Sequence, residues 1–548
     1  MNKFIDINTS ESIGLDYVIG KLRTITPYGK DLKDNMKPFK IGEEELLIEE
    51  LDQIEVLVKL INENRYFFKN IKSILSNIKD IRNSISRATD GYILSNVELY
   101  EVKGFILTLV ELTEELKIIE KQLHSTIKPY KIPELEKLLD PQNTKVRAFY
   151  IYDDYSQELK AIRESKKEID NKLKLETKNL KEKIEKDLNI KIRPDNTITI
   201  SKSNKEMLNK ANNSPYLIYN SETYMDIKYS LKYTLDMCEW ENALSIIKEK
   251  EEKEEENIRK ELSRGIGSHQ EDINKNIKAI GKLDLSLSKA YMAIDTNSIR
   301  PTIQVNHIVN IINGRHIEVE DILRSKEMVF TPISIKLHEG VSCITGANMG
   351  GKTVSLKLIG LLCAMAQYGL LVPCDSMEIG LHGFIYGSIG DMQSTDKGLS
   401  TFGSEINSIK EGIEKADKRG LILIDELARG TNPEEGYAIS KAIVNYLKNK
   451  KSITLITTHY DNIAASEGIQ HYQVIGLSNI DYEELKANLQ SKGTSMELIS
   501  GYMDYRLAKV TQETKVPRDA INIAKLMGLD QGIIEDAERI LFGTVVEQ

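Results

Sequence analysis

The chain has few cysteines, few aromatic residues and no long apolar run. Its four cysteines include no C-x-x-C pair, so a zinc site or a disulfide framework has little support. Cys343, Cys363 and Cys374 lie in apolar surroundings, and we expect them to be small core residues. Aromatic residues account for 6% of the chain and charged residues for 29%, which indicates much helix with solvated faces.

The chain also lacks an excess of positive charge and any segment suited to a membrane. The formal net charge is −9 at pH 7, so the chain has no overall positive charge to attract nucleic acid. This does not exclude a local basic patch. The longest apolar run, residues 358–366, is far too short to span a bilayer, and no apolar signal region follows Met1. We therefore expect a cytoplasmic protein without a membrane partner.

The most specific signal is an eight-residue match to the P-loop pattern G-x-x-x-x-G-K-[ST]. Apolar residues 341–345 lead into it, and a helical stretch from Thr353 to about Gly369 follows. Glycines let backbone amides turn toward phosphate oxygens. Lys352 would reach the outer phosphates of ATP, and the Thr353 hydroxyl would bind Mg²⁺. The predicted nucleotide-binding residues are Gly346, Ala347, Asn348, Met349, Gly350, Gly351, Lys352 and Thr353.

Two further apolar strands are predicted to end at chemically active side chains. Asp425 and Glu426 follow the apolar run 421–424, and residues 453–458 lead to His459. Continuous apolar runs fit the middle of a parallel sheet, where ligand-contacting residues lie at the carboxyl ends of the strands. We expect Asp425 to hold Mg²⁺ through water, Glu426 to polarise the attacking water, and His459 to sense the γ-phosphate.

Apolar spacing and turn residues divide the chain into four predicted regions. A turn at Asp140-Pro141 marks the first boundary, and the C-terminal tail has an apolar helical face that Gly528 interrupts. That face could cover its own domain or pair with another subunit. The regions are a helical core domain (1–140), a pair of long helices with an insert (141–300), an ATPase domain (301–515) and a C-terminal helical dimerisation segment (516–548).

The second region is dominated by two long helical segments, about 155–188 and 238–265, which we call the lever helices. Both carry dense Lys and Glu with a narrow apolar seam. Such seams favour an antiparallel pair with the insert at its far end. The charged run 248–256, within the second lever helix, is expected to be a solvated face.

The insert between the lever helices, about 189–236, has a different pattern. Residues 190–193 and 197–200 alternate as strands do, around a Pro-Asp-Asn turn. Residues 187–236 contain seven Lys and Arg against six Asp and Glu. This near-neutral balance gives no charge support for contact with nucleic acid phosphates.

Together these segments resemble the ATPase domain of the MutS family, which belongs to the ABC-type ATPases. The resemblance covers about 305–541, with Ala347 standing where the family typically has proline. Residues 1–300 resemble the core and lever domains of the family less specifically. The segments that carry the resemblance are 346–353, Ser400-Thr401-Phe402, Asp425 to Thr431, Thr457 to Tyr460, Arg315-His316 and 524–529.

This resemblance implies a fold and a mechanism. The fold is an α/β P-loop ABC-type ATPase domain preceded by an all-α core and lever domain with a small β-containing insert. The mechanism is that of a homodimer that binds ATP and Mg²⁺, in which Ser400 of one subunit contacts the γ-phosphate held by Lys352 of the other. Glu426, His459 and Ser400 would be the catalytic residues, and hydrolysis would be coupled to movement of the lever helices.

Two functions fit the resemblance. In the first, the dimer clamps DNA as mismatch repair-like proteins do, although we expect the mismatch-reading and nuclease domains of the family to be absent. In the second, the dimer is an ATP-dependent reactivase of a cobalamin-dependent lysine or ornithine aminomutase. Overall acidity, the near-neutral insert and the short architecture favour the second. A structural ATPase of the SMC type is a third interpretation, which the shortness of the lever helices disfavours.

Overall fold

The computed structural model contains two compact units that are interleaved along the chain. The first unit comprises Met1–Ser76, Lys117–Lys128 and Lys278–Gln548, and the second comprises Asn77–Leu116 and Pro129–Ile277. The residues that the structure describes are 4–346, 351–390, 401–427, 431–464, 466–476, 503–510, 521, 524–525 and 528–542.

Helices occupy most of the first 76 residues. Thr26 caps the start of one of them, because Thr26 Oγ1 accepts a hydrogen bond from the amide of Gly29 at 2.9 Å. Pro27 fills the first helical position, where its missing N–H costs nothing. The helices are α1 (Ile7–Ser12), α2 (Leu15–Lys21), α3 (Pro27–Asp34), α4 (Glu44–Glu63) and α5 (Arg65–Leu75).

The second unit begins with three further helices and a buried ion pair. The helices are α6 (Arg82–Thr89), α7 (Asn96–Leu116) and α8 (Pro133–Leu139). Asp140, at the predicted turn, lies 3.1 Å from the ammonium of Lys103, and both side chains are at most 2% exposed. Lys103 Nζ also contacts the Tyr152 hydroxyl at 2.9 Å. This cluster fixes the turn against α7.

Both predicted lever helices are present, and they are antiparallel. Arg163 of the first contacts Glu251 and Glu255 of the second at 3.1 and 2.7 Å, so the charged run also carries ion pairs between the helices. At the other end, Leu180 packs in one cluster with Met237. The remaining elements of this part of the chain are α9 (Gln157–Leu188), β1 (Thr197–Ser201), α10 (Lys205–Asn212), β2 (Leu217–Glu222), β3 (Asp226–Leu231), α11 (Leu235–Ser268) and α12 (Gln270–Asp295).

The insert is a small antiparallel sheet with strand order β1-β3-β2 and one helix. The predicted strand at 197–200 is β1, but the predicted strand at 190–193 is wrong, because these residues carry no regular secondary structure. The amide of Ile192 is instead satisfied by the carboxylate of Glu185 at 2.7 Å. Ile198 pairs with Tyr229 of β3, so the sheet closes with a strand from later in the chain.

The α/β part of the first unit contains two sheets. One has the strand order β13-β12-β7-β11-β10-β9, in which β12, β7, β11, β10 and β9 are parallel, and the other has the order β4-β8-β5-β6. The elements are β4 (Thr302–Gln304), β5 (Ile308–Gly314), α13 (Ile317–Ser325), β6 (Ile333–His338), β7 (Gly340–Thr345), α14 (Lys352–Gln367), β8 (Ser376–Gly380), β9 (Ile385–Ser388), α15 (Thr401–Lys415), β10 (Leu421–Ile424), α16 (Pro433–Leu447), β11 (Ile453–Thr457), α17 (Asp461–Ala464), β12 (Gln470–Gly476), β13 (Asp504–Lys509) and α18 (Gln531–Phe542).

The N-terminal segment is built into this α/β core. Ile5 forms a parallel bridge with Ile385 at the β9 edge of the six-stranded sheet. Ile13 is fully buried in the cluster that contains the apolar face of α14, and a Cβ on Gly360 would lie 3.0 Å from its Cγ2. The packing of α14 against Ile13, the residue that follows α1, therefore depends on a residue without a side chain at position 360.

Cys343, Cys363 and Cys374 are buried, as predicted from their apolar surroundings, and Cys238 is exposed. Burial raises the pKa of the Cys343 and Cys374 thiols to about 12, so both are protonated at neutral pH. In the tail, Gly528 to Asp530 interrupt the helical pattern before α18, as the sequence predicts. No helix of the described residues has both the length and the apolar character needed to cross a membrane.

Candidate functional site

Strand β7 leads directly into the P-loop. All six of its residues are buried, as expected for a central strand of a parallel sheet, with β11 and β12 as its neighbours. Gly346 then has a φ of 128° and Gly351 a φ of 77°, conformations open to glycine and costly for other residues. Helix α14 begins at Lys352, so its positive N-terminus follows the loop. Ala347, Asn348, Met349 and Gly350 lie outside the described residues.

Two threonine hydroxyls hold the carboxylate of Asp425. Thr353 Oγ1, in the first turn of α14, donates to Oδ2 at 2.8 Å, and Thr457 Oγ1, at the end of β11, donates to Oδ1 at 2.7 Å. Strands β10 and β11 are parallel neighbours, with Ile424 opposite Ile456, so their carboxyl ends meet at one edge of the sheet. The two residues predicted to hold Mg²⁺, Thr353 and Asp425, are therefore in direct contact.

A chain of hydrogen bonds joins Lys352, His459 and Glu426. Lys352 Nζ lies 2.7 Å from the carbonyl oxygen of Gly346 and 3.3 Å from His459 Nδ1. An ammonium group only donates, so Nδ1 accepts and the neutral imidazole carries its proton on Nε2. His459 Nε2 then donates to Glu426 Oε1 at 3.0 Å. The structure thus links the residues that the sequence assigned to phosphate contact, phosphate sensing and water activation.

Glu426 has a backbone conformation that non-glycine residues seldom adopt. Its φ is +50°, in the left-handed region. Its amide donates to Thr457 Oγ1 at 2.8 Å, so the hydroxyl that donates to Asp425 also accepts from Glu426. Its side chain is 14% exposed, whereas that of His459 is 44% exposed. Backbone strain of this kind persists where the surroundings enforce it, and it gathers at functional sites.

Sequence reasoning did not identify Thr457 or the residues of β12 and β13 that lie against the P-loop. A Cβ on Gly346 would lie 3.2 Å from Val474 Cβ, and a Cβ on Gly351 would lie 3.0 Å from Tyr505 Cδ1. The signals for Thr457 are its place as the polar last residue of an apolar strand, two positions before His459, and its position in a segment that carries the family resemblance, neither of which gave it a role. Val474 and Tyr505 carry no signal, because their role comes from sheet neighbours distant in sequence.

Arg315 and His316, two residues that carry the family resemblance, do not join this network, and the predicted Ser400 cannot be compared with it. Ser400 lies outside the described residues, and α15 begins immediately after it. Arg315 donates to Glu320 at 2.8 Å and to the carbonyl oxygen of Thr296 at 2.6 Å, which fastens the end of α12 to α13. His316 caps α13, and burial lowers its pKa to about 4. The contacts of Arg315 and His316 are thus those of a structural junction.

The donor set suits a magnesium ion that is held largely by its substrate. Within the residues that the structure describes, no group of three or more His, Cys, Asp and Glu side chains could hold a metal ion. A threonine hydroxyl and an aspartate are hard oxygen donors. Mg²⁺ is usually bound by one or two such protein groups together with water and substrate phosphates. The contact between Thr353 and Asp425 fits that kind of site.

The chain matches known proteins both in this region and beyond it. The family described as MutS domain V matches residues 342–543. The chain is also similar to a protein named Endonuclease MutS2 of Caldanaerobacter subterraneus subsp. tengcongensis, at 28% identity over 512 residues, 91% of this chain and 60% of that protein. Endonuclease MutS2 of Halothermothrix orenii is 34% identical over 305 residues, 55% of this chain and 35% of that protein. The chain therefore spans less than two thirds of the length of these relatives.

Proposed function

Because this chain belongs to the MutS family, we propose that it is an ATP-hydrolysing switch that works as a homodimer on DNA. The observation that carries the proposal is the pair of networks at the carboxyl ends of β7, β10 and β11. One network joins Thr353, Asp425 and Thr457, and the other joins Lys352, His459 and Glu426. Side chains from three separate parts of the sequence meet beside a glycine loop, which is the arrangement that phosphoryl chemistry requires.

The P-loop residues would bind the phosphates of ATP. The Lys352 ammonium is a compact point charge with three donors, which suits phosphate oxygens. Thr353 and Asp425 would hold Mg²⁺, which supplies charge neutralisation at the phosphate oxygens when bound. The hydroxyl of Thr457 fixes the Asp425 carboxylate before any ligand arrives, so little reorganisation is needed on binding.

Glu426 would polarise the attacking water, and His459 would orient Glu426. A carboxylate that accepts one hydrogen bond from His459 Nε2 keeps a defined direction and still has lone pairs for a water proton. His459 also touches Lys352, so a phosphate that draws the ammonium away would alter the imidazole and, through it, the carboxylate. This connection gives the site a way to couple phosphate binding to water activation.

We place Ser400 of one subunit opposite the P-loop of the other, as the family resemblance implies. The segment from Thr401 is helical, so Ser400 would stand before the N-terminus of α15, a position that favours an anion. Helix α18 has an apolar side with exposed Ile533 and Ile540, at 55% and 78%, which fits the proposed pairing of the tails. Hydrolysis would then require the dimer.

We favour DNA over a protein as the partner. The relatives carry the name Endonuclease, which describes an action on nucleic acid, and none of the proteins named above is called a reactivase or an aminomutase partner. Nuclease activity is not proposed for this chain, because the matches cover only 60% and 35% of those relatives. Three insert lysines, Lys202, Lys210 and Lys228, are paired with carboxylates. We therefore expect few phosphate contacts from the insert.

The experiment that tests the proposal is the rate of ATP hydrolysis with and without duplex or branched DNA, across a salt series. Hydrolysis that Lys352→Ala and Glu426→Gln abolish would support the site, with the exposed Glu467→Gln as a matched control. DNA stimulation that falls as salt rises would support the DNA partner. Hydrolysis unchanged by both variants would refute the site. Hydrolysis without any DNA binding at low salt would refute the partner and leave the site intact.

A further inference from the structure

A cavity lies in the first unit, and none of the P-loop residues belongs to its lining. It has a volume of about 430 Å³, and its walls come from the end of α2, from α5, from the last turns of α12 and from α13. Sites for small ligands typically measure about 300–1,000 Å³. None of its lining residues belongs to the networks around Asp425 and Glu426. The cavity is therefore large enough for a metabolite of its own.

Part of the charge around the cavity is already neutralised. Lys21 Nζ lies 2.6 Å from the carboxylate of Asp321, and Arg315 holds Glu320 at 2.8 Å. Arg324 approaches the same two carboxylates at 3.7 and 3.8 Å. These contacts tie α2 to α13, and they account for both acidic residues of α13 in the lining.

Two cations and one carboxylate in the lining are left outside these pairs. In the part of the chain that the structure describes, Arg23, Lys72 and Asp295 form no ion pair with one another or with other side chains. Lys72 Nζ instead lies 3.1 Å from the centroid of the Tyr291 ring. Burial lowers the pKa of Lys72, the carboxylates of Asp295 and Asp284 partly oppose that shift, and the charge of Arg23 adds a smaller lowering effect. An anion between the two cations would relieve their repulsion.

One residue of the lining has a buried hydroxyl group with no hydrogen bond. Ser288 lines the cavity, is 5% exposed, and its Oγ is buried with no hydrogen-bond partner among the described residues. A buried hydroxyl without a partner is unfavourable relative to a satisfied one, so a ligand group that reached it would be stabilising. Ser288 and Asp295 lie on one face of α12, seven residues or about two turns apart. They therefore offer polar partners over a distance longer than a single phosphate group.

We propose that this cavity binds a small phosphate monoester that also carries hydroxyl groups. Arg23 and Lys72 come from different elements, so together they can contact several oxygens of one phosphate. The Asp295 carboxylate would accept hydrogen bonds from the hydroxyl groups of the ligand, and the Ser288 hydroxyl would donate to them. An inorganic phosphate would fill only a small part of the space, so the organic portion is part of the fit. The inference is independent of the proposed ATPase function.

The test is calorimetric titration of the full chain with ribose 5-phosphate, with ribose and inorganic phosphate as comparison ligands. The titration is made on the Lys352→Ala protein, so that the P-loop does not compete for phosphate. Arg23→Gln and Lys72→Met should each weaken binding on the order of tenfold, as expected for one charge-assisted hydrogen bond. Ser288→Ala should weaken it less. Lys69→Met, on the exposed side of α5, removes the same charge and should have no effect.

Each outcome decides the proposal. Tighter binding of ribose 5-phosphate than of ribose, lost in the Arg23 and Lys72 variants alone, supports it. No binding of ribose 5-phosphate at millimolar concentration overturns it, as does binding that Lys69→Met weakens equally, since that would be unspecific attraction. Equal binding of inorganic phosphate and ribose 5-phosphate overturns the claim for an organic portion. Circular dichroism of each variant separates lost binding from lost folding, and Arg23→Lys should restore part of the affinity.

Discussion

His459 and Glu426 are joined by a hydrogen bond of 3.0 Å between imidazole Nε2 and carboxylate Oε1. Because Lys352 occupies the other ring nitrogen, the tautomer of His459 is set by the protein itself. His459, two residues beyond the end of β11, thus holds Glu426, which follows the neighbouring strand β10. The geometry makes His459 a positioning residue for Glu426 as well as a sensor.

We predict that His459→Ala lowers kcat about tenfold or more and changes the affinity for ATP much less. The variant removes one charge-assisted hydrogen bond to Glu426, worth about 1.5–3 kcal/mol, and each 1.4 kcal/mol is tenfold in rate. His459→Gln should recover part of kcat, because its amide can donate to the carboxylate. Single-turnover hydrolysis and binding of a fluorescent ATP analogue measure the two quantities. An unchanged kcat in His459→Ala would contradict the positioning role.

We predict that Thr457→Val raises the Mg²⁺ concentration needed for half-maximal hydrolysis. Its hydroxyl donates to Asp425 and accepts from the amide of Glu426, so both groups lose a partner. The expected change is about tenfold, from the loss of one or two hydrogen bonds. Thr454→Val is the matched control, a buried threonine of the same strand whose hydroxyl contacts Ser452. A Mg²⁺ dependence equal in both variants would count against Thr457 as part of the site.

Much of the site could be predicted from the sequence because its motifs stand at strand ends. A continuous apolar run such as 421–424 can hardly avoid the interior of a sheet, and the carboxylates after it must then lie at an edge. The sequence could not give the register between strands. The contact of Thr457 with Asp425 depends on Ile424 standing opposite Ile456, which pairing across the sheet decides.

The fold was predictable where periodicity was long. The lever helices repeat their apolar residues over some thirty positions, which leaves little ambiguity. The four residues 190–193 alternate as a strand would. Whether so short a run forms a strand depends on whether a neighbouring strand pairs with it, and β1 pairs with β3 instead. Residues 4–22 gave no sign of packing with α14, because an amphipathic helix does not reveal which surface covers it.

We predict that two mixed dimers will differ in activity if Ser400 acts across the subunit interface. When one subunit carries Lys352→Ala and the other carries Ser400→Ala, both defects fall in one site and the second site is intact. About half of the wild-type rate should remain. When one subunit carries both substitutions and its partner is wild type, each site has one defect and the rate should be near zero. The reverse order of activities would show that Ser400 acts within its own subunit.

We predict that the stability of the second unit falls in acid because of Asp140. Burial raises the pKa of this carboxyl. The amide of Lys145, the hydroxyl of Thr144 and the ammonium of Lys103 together lower it by more, so the net shift is downward. Because the pKa of Asp140 is lower in the folded than in the unfolded protein, its carboxylate stabilises the fold at pH values above the unfolded pKa of about 3.9. This stabilisation is lost as the pH falls through the folded pKa. Asp140→Asn should therefore lack this acid loss.

At neutral pH the same variant should lose about 3–5 kcal/mol of unfolding free energy, because Lys103 stays buried without its counter-ion. Trp240 is the only tryptophan and lies in the second unit, so its fluorescence during urea unfolding reports the relevant transition. Asp187→Asn, at an exposed position near the end of α9, is the matched control. Equal acid sensitivity in both variants would assign the effect to other carboxyls.

We predict that Ile13→Ala destabilises the first unit by about 2–5 kcal/mol, the usual cost of removing a buried branched side chain. Ile13 is fully buried in the core that α14 shares, whereas Ile7 of the same segment is 62% exposed. Ile7→Ala should therefore cost little.

Far-ultraviolet circular dichroism would report unfolding of the whole chain, and Trp240 fluorescence would report the second unit separately. An early transition in circular dichroism that Trp240 does not follow is expected for Ile13→Ala. Because α14 starts at Lys352, loosening its middle, where Gly360 lies against Ile13, should also weaken ATP binding. Identical behaviour of the two isoleucine variants would mean that the N-terminal segment does not stabilise the α/β core.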